Sequence, residues 1–191
     1  MQERKNSIKD YILVLKNIIP ENLCDDILNE YKNSDEWLIT KVGPDAQIEK
    51  ETRNCTSLEM SLDTTIKKNK NIRKNLDDKV FECTKNAIKK YNEKFKYAFI
   101  SKDTGYELLK YEKGGFYKQH VDSFTNTPRT ISCSFTLNND FKGGEFSFFN
   151  NEIIYKLKKG SAIMFPSNFL YPHSVLPIIQ GTRYSIVTWF I

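Results

Sequence analysis

Histidine is scarce in this chain: His120 and His173 are the whole supply in 191 residues. Any site built from three histidines is therefore excluded. His120 opens the tripeptide His120-Val121-Asp122, and in a strand residues i and i+2 point to the same face. The imidazole and the carboxylate can then bind one metal ion together. With His173 they make two histidines and one carboxylate, the facial set that leaves positions open for a cosubstrate and dioxygen at non-haem Fe(II). Arg183 follows ten residues after His173 and is one of only five arginines. A guanidinium suits a two-pronged grip on a carboxylate. Buried without a partner it is costly, so an inward Arg183 requires an anionic ligand. An Arg183 turned to solvent would require none.

These residues need strands to hold them. From Tyr97 onward the chain reads as short strands near 106–112, 117–122, 130–137, 144–149, 152–157, 161–165, 172–176 and 183–190. Gly114-Gly115, Pro128, Gly143-Gly144, Gly160, Pro166 and Gly181 punctuate them. Strands this short and this closely spaced predict a sandwich or barrel. On the last strand Arg183, Ser185, Val187 and Trp189 share one face, and Tyr184, Ile186, Thr188 and Phe190 the other. On 130–137, Thr130, Ser132, Ser134 and Thr136 alternate with Ile131, Cys133, Phe135 and Leu137. The hydroxyl row either faces water or turns inward to a polar ligand.

The first half of the chain reads as support. Residues 1–9 form a polar tail, and Tyr11 to Leu15 a strand. Glu21 to Tyr31 carries Leu23, Ile27, Leu28 and Tyr31 at helical spacing, with Pro20 at its start. Residues 32–57 show a turn at Gly43-Pro44 and no strong period, and 40–57 reads as a lid loop. Residues 62–95 are mostly helical. Leu76, Val80, Cys83, Ala87, Tyr91 and Phe95 form a stripe that must lie on an apolar surface such as a sheet. The expected layout is α+β in a single domain over 1–191, with 1–100 as helical support and lid and 101–191 as the β core.

Composition fits that layout. Hydrophobic residues are 39% and charged residues 28%, which excludes collagen-like, coiled-coil and wholly disordered chains. The net charge is +5, and residues 66–96 hold eleven Lys/Arg against four Asp/Glu. A basic segment can face nucleic acid, but its apolar stripe makes a solvated helix surface the favoured reading. Cys24, Cys55, Cys83 and Cys133 form no CxxC pair. The polar start and the lack of a long apolar run predict a cytoplasmic protein with free thiols and no membrane span.

His120-Val121-Asp122, His173 and Gly181-Thr182-Arg183 resemble the HxD…H…R pattern of the Fe(II)- and 2-oxoglutarate-dependent dioxygenases. The resemblance is closer to the prolyl 4-hydroxylase-like branch. Leu108 to Glu112 with Tyr117 to Asp122, Leu137-Asn138 with Phe141 to Phe146, and Lys159 to Ala162 with Phe165-Pro166 carry it. So do Pro172 to Val175 and Arg183 to Trp189. It is strong over 106–191, looser at 11–31 and 72–95, and weak at 32–60.

The resemblance implies a double-stranded β-helix, a jelly-roll or cupin-like core with the N-terminal helices packed on one sheet. It implies Fe(II) on His120, Asp122 and His173. Arg183 would hold the distal carboxylate of 2-oxoglutarate, with Tyr111, Thr136 and Ser185 beside that cosubstrate. Dioxygen is the other cosubstrate, and ascorbate a candidate reductant. Arg53, Tyr117, Arg129 and Trp189 would lie near the mouth, toward substrate. Asp122 favours hydroxylation, because halogenating relatives have Gly or Ala there. Trp189 stands where nucleic-acid dealkylases carry a second Arg. Three functions follow: a hydroxylase of a prolyl residue in a peptide or protein, a hydroxylase of a free amino acid or other small molecule, or a non-catalytic binding module using its basic helix. Nucleic acid is the disfavoured partner, and no oligomeric state is read.

Overall fold

Short backbone caps and distant strand pairings, rather than long regular segments, organise the first sixty residues. The structure, a computed structural model, describes residues 7–43, 45–61, 69–98, 100 and 102–191. A 3-10 turn, Ile8–Tyr11, opens it. Ser7 caps the turn by accepting from the Lys9 N–H, while Asp10 accepts from the Ser7 N–H. This turn takes the start of the expected strand, so β1 is only Leu13–Leu15. Helix α1, Glu21–Tyr31, begins right after Pro20 as its spacing predicts.

The patternless stretch after α1 is not all loop. It contains β2 (Leu38–Ile39), β3 (Arg53–Asn54) and β4 (Thr56–Glu59). Pairs this short show no alternation, and their partners lie far along the chain. Helix α2 then runs Lys70–Lys94. The expected helical residues 62–68, and Pro44 of the expected turn, lie outside the described residues. Leu76, Val80, Ala87 and Tyr91 are buried as the stripe predicts, and Arg73 and Thr84 join them. Arg73 corrects the reading of this helix's charges as a solvated surface. It reaches Glu30 at 2.9 Å and Glu36 at 2.7 Å and lies over the Tyr31 ring, tying α2 to α1.

All eight expected core strands form, six of them over shorter spans, β11 shifted by one residue and β14 as expected: β5 (Glu107–Tyr111), β6 (Phe116–His120), β7 (Ile131–Thr136), β9 (Phe146–Phe148), β10 (Ile153–Tyr155), β11 (Ala162–Pro166), β12 (His173–Val175) and β14 (Arg183–Phe190). Between them β8 (Lys142–Gly143) and β13 (Ile178–Gln180) make a separate two-stranded pair. One sheet runs β1-β11-β7-β14-β5-β4-β2, and the other β10-β9-β12-β6-β3. The pairings within both sheets are antiparallel. Successive core strands are shared between the two sheets, which is the double-stranded β-helix.

The seven-stranded sheet has two different faces. Cys133, Phe135, Ile186 and Phe190 point to the helices and pack with Ile27, Leu76, Val80 and Tyr91. Each such burial contributes about 1.5–3 kcal/mol. Leu109, Tyr111, Ile163 and Phe165 point the other way, toward Phe146, Phe148 and Val175 of the second sheet. The molecule is thus layered as helices, large sheet, small sheet. Among the described residues no helix is long and apolar enough to cross a membrane. All four cysteines are free.

Candidate active site

β6 ends on His120 and β12 begins on His173, and the two are register partners in the smaller sheet. Their ring centroids are 4.2 Å apart. Asp122 follows β6, and its N–H donates to the Ser167 carbonyl at 3.1 Å. Its carboxylate oxygens lie 3.4 Å from His120 Nε2 and 3.5 Å from His173 Nε2. One ligand atom from each of the three residues falls within 4.8 Å of the others.

The surroundings fix the orientation of each group. His120 Nδ1 is 2.9 Å from the Lys118 carbonyl, and His173 Nδ1 is 3.1 Å from the Tyr171 carbonyl. A carbonyl only accepts, so each Nδ1 carries the hydrogen and each Nε2 turns a lone pair inward. Burial, reinforced by His120, pushes His173 down to about 4 and keeps it neutral. Burial alone would raise Asp122. His173, His120 and the Ser132 hydroxyl outweigh it and hold the carboxylate below its ordinary range. The Ser132 hydroxyl donates to Asp122 Oδ2 at 2.6 Å and lies 2.8 Å from Ser167 Oγ.

The row Arg183, Ser185, Val187 and Trp189 faces inward, as the alternation on β14 predicts. Arg183 is 2% exposed and reaches no carboxylate among the described residues. Its Nη1 donates to Ser185 Oγ at 3.1 Å, and Nη2 has no partner. The guanidinium sits 5.4 Å from the Tyr111 ring and 5.3 Å from Phe146. Burial lowers its pKa from the ordinary value. Gly144 makes room for it. A Cβ there would stand 3.0 Å from Arg183 Cδ, and the backbone φ of +70° favours glycine.

The hydroxyl row of β7 is also buried, which removes the reading that it faces water. Ser132 and Ser134 line the same cavity as Arg183. Thr136 lies lower, opposite Ser185 in register, beside a small void that also touches Arg183. The hydroxyls of Ser134 and Thr136 have no hydrogen-bond partner. At the mouth Arg53 lies 4.6 Å over Tyr117, and Arg129 lies 3.6 Å over Trp189. Tyr117 also stacks on His120 with centroids 3.4 Å apart.

One cavity of about 370 Å³ thus gathers every sequence-selected residue except Thr136. Its wall also holds Lys41, Val42 and Gly43, from the stretch read as a lid loop, and Phe124 and Thr127, from the turn after Asp122, which sequence reasoning passed over. Ser132 stood on the hydroxyl row already, so its link to Asp122 was within reach of the alternation. Cys55 and Thr40, bonded at 3.3 Å behind this wall, carried no local signal.

The residues fit both groups that such a site implies. Two inward Nε2 atoms and an anchored carboxylate suit a divalent metal, and an unpaired guanidinium with free hydroxyls suits a small dicarboxylate. Residues 106–191 match the family model of the 2OG-Fe(II) oxygenase superfamily, so it is the β core that carries the likeness. A PKHD-type hydroxylase of Rippkaea orientalis is 35% identical over 89 residues, 42% of this chain and 39% of the relative. One from Colwellia psychrerythraea is 35% identical over 85 residues, 40% of this chain and 37% of the relative. The chain therefore matches about two fifths of the length of these curated relatives.

Solved structures agree on the fold. A prolyl hydroxylase of Trichoplax adhaerens, in complex with a hypoxia inducible factor peptide fragment, superposes with a TM-score of 0.76 at 18% identity. The match covers 95% of this chain and 83% of that one. A Pseudomonas putida prolyl-4-hydroxylase gives 0.71 at 18%, covering 96% of each chain. The fold is shared with these prolyl hydroxylases.

Proposed function

We propose that this chain is an Fe(II)- and 2-oxoglutarate-dependent hydroxylase acting on a prolyl residue of a peptide or protein. The observation that carries the reading is one cavity holding His120, Asp122 and His173 together with a buried Arg183 that has no anion of its own. A family resemblance in the β core and prolyl hydroxylase folds among its neighbours support the substrate class.

Iron held by the triad supplies the oxidising chemistry, in which dioxygen is consumed, 2-oxoglutarate becomes succinate and carbon dioxide, and a substrate C–H becomes C–OH. The chain's own residues do the rest. Arg183 receives the distal carboxylate of 2-oxoglutarate, and its bond to Ser185 keeps the guanidinium plane aimed. Tyr111 and Thr136 flank that carboxylate. Ser132 holds Asp122 in one orientation. Phe146, Phe148 and Phe165 pack around the His173 ring and keep water from its buried side. No side chain is assigned as a general base. Arg53, Tyr117, Arg129 and Trp189 receive the substrate, and the loop 40–52 is the part of the expected lid left between β2 and β3. The first hundred residues serve as its support within one domain. Four free thiols favour a reducing, cytoplasmic setting.

Succinate formation with a panel of Pro-containing peptides, free L-proline and free L-lysine tests the reading, with products weighed by mass spectrometry. Peptide-stimulated succinate and a gain of one oxygen on proline are expected. Stimulation by the free amino acids alone would transfer the reading to a small-molecule hydroxylase.

A further inference from the structure

Four arginines stand among the described residues, and they fall into two kinds. Arg73 is buried and saturated by Glu30 and Glu36. Arg183, Arg53 and Arg129 line one cavity, and none of them reaches a carboxylate within ion-pair distance among the described residues. Arg183 is matched to the cosubstrate in the proposed function. Arg53 and Arg129 are left over at the mouth.

Both are held as if for a ligand. Arg53 lies 4.6 Å over the Tyr117 ring and spends Nη1 on the Lys41 carbonyl at 3.2 Å, and its Nε is buried without a partner among the described residues. Arg129 lies 3.6 Å over the Trp189 ring and spends Nη1 on the Asp122 carbonyl at 3.1 Å, and its Nε is likewise buried and unpaired among the described residues. A cation–π contact holds a guanidinium in place without using the N–H groups at its edges. The charge balance agrees. When Fe(II) and 2-oxoglutarate fill the cavity, the dication and dianion cancel. Three arginines and Lys41 of the wall then face, among the described residues, Asp122 and Glu107 as its carboxylates. A site with surplus buried cation is completed by an anion.

We propose that Arg53 and Arg129 receive a carboxylate of the substrate, so that the preferred substrate carries an acidic group beside the carbon that is hydroxylated. This deepens the hydroxylase reading and rests on it. The carboxylate is either an Asp or Glu side chain of a peptide or the terminal carboxylate of a peptide or free amino acid.

Paired probes test it: Pro peptides with Glu or Gln on either side of proline, C-terminal Pro peptides as acid or amide, and L-proline against L-prolinamide. Binding is measured by calorimetry at low and high salt, and kcat/KM by succinate formation. At least one acid is expected to bind about ten-fold tighter than its amide, or about 1.4 kcal/mol, with the difference shrinking in salt. The preference should fall to within about two-fold in the Arg53→Gln, Arg129→Gln double variant and be partly kept by Arg129→Lys. The pair that discriminates names the source of the carboxylate. Equal binding of every acid and amide would overturn the proposal, and so would a preference that survives the double variant. If succinate formed equally from acid and amide, the hydroxylase reading would stand and this proposal would fall. If no probe gave succinate, the hydroxylase reading would fall and the binding comparison would still decide the carboxylate question.

Discussion

The two faces of the large sheet come from the same strands and live by opposite rules. On β7 and β14, Cys133, Phe135, Ile186 and Phe190 face the helices, and the Thr188 hydroxyl is the one side-chain oxygen beside them on these strands without a hydrogen-bond partner among the described residues. One residue along, Ser132, Ser134, Arg183 and Ser185 are as deeply buried but carry hydroxyls and a charge. The outer face gains from burial. The inner face gives up hydration for groups that stay partly unpaired, among them Ser134 Oγ, Thr136 Oγ1 and Arg183 Nη2. Such groups persist where a ligand completes them, so the difference separates the part that holds the molecule together from the part that acts.

Five substitutions or conditions break or sharpen that contrast. His173→Ala is expected to reduce Fe(II)-dependent decarboxylation of 2-oxoglutarate to background while the chain stays folded, read by succinate assay beside circular dichroism. Turnover above background would remove the triad assignment. Phe135→Ala on the outer face should do the reverse, costing about 3–5 kcal/mol in urea unfolding with iron affinity unchanged in the fraction that is folded.

Acidification should separate the faces too. His173 is held down to about 4 in the folded chain and returns to about 6.5 when unfolded. Between those values the unfolded chain binds the extra proton. Stability of the metal-free protein is therefore full above about pH 6.5 and falls as pH drops toward 4, by about 3 kcal/mol in all. A His173→Gln variant should show a flatter unfolding profile over that window. An equal slope in both proteins would mean that His173 is not buried as a neutral imidazole.

Arg183→Ala should raise the 2-oxoglutarate requirement roughly 10- to 100-fold, the worth of bonds to a charged group, and the iron requirement far less. Because the lost cation meets no carboxylate among the described residues, thermal stability should hold or rise. Equal shifts for both cofactors would count against the carboxylate role. The smallest change is expected from Ser132→Ala, which leaves the three ligands in place but frees Asp122. Metal affinity should weaken about ten-fold, the low end for loss of a residue that orients a ligand, as read by metal titration. No change would mean that Ser167 and the backbone suffice.

How much of this was legible depended on whether a residue's role repeats along its own strand. Arg183, Ser185, Val187 and Trp189 could be assigned to one face because alternation is a local property of extended chain. The same holds for the hydroxyl row of β7, although only the fold could say which way that row turns. β2, β3 and β4 were not legible. Leu38–Ile39 and Arg53–Asn54 are too short to show a period, and they exist as strands only because β4 and β6 offer them partners. Arg73 was misread for a related reason, since its partners Glu30 and Glu36 lie on and just beyond another helix.

The sequence by itself limited the imidazoles of the candidate metal site to His120 and His173, because a chain with two histidines leaves no other choice. It also determined the alternation that puts Arg183 among inward residues. Tertiary structure alone decided what surrounds them. It set His120 opposite His173 across a strand pair, gave each Nδ1 a carbonyl, and placed Ser132 on Asp122. It also left Arg183, Arg53 and Arg129 without carboxylates among the described residues while giving Arg73 two. Pairing of buried charge is a matter of distance between segments remote in sequence, and no local pattern encodes that distance.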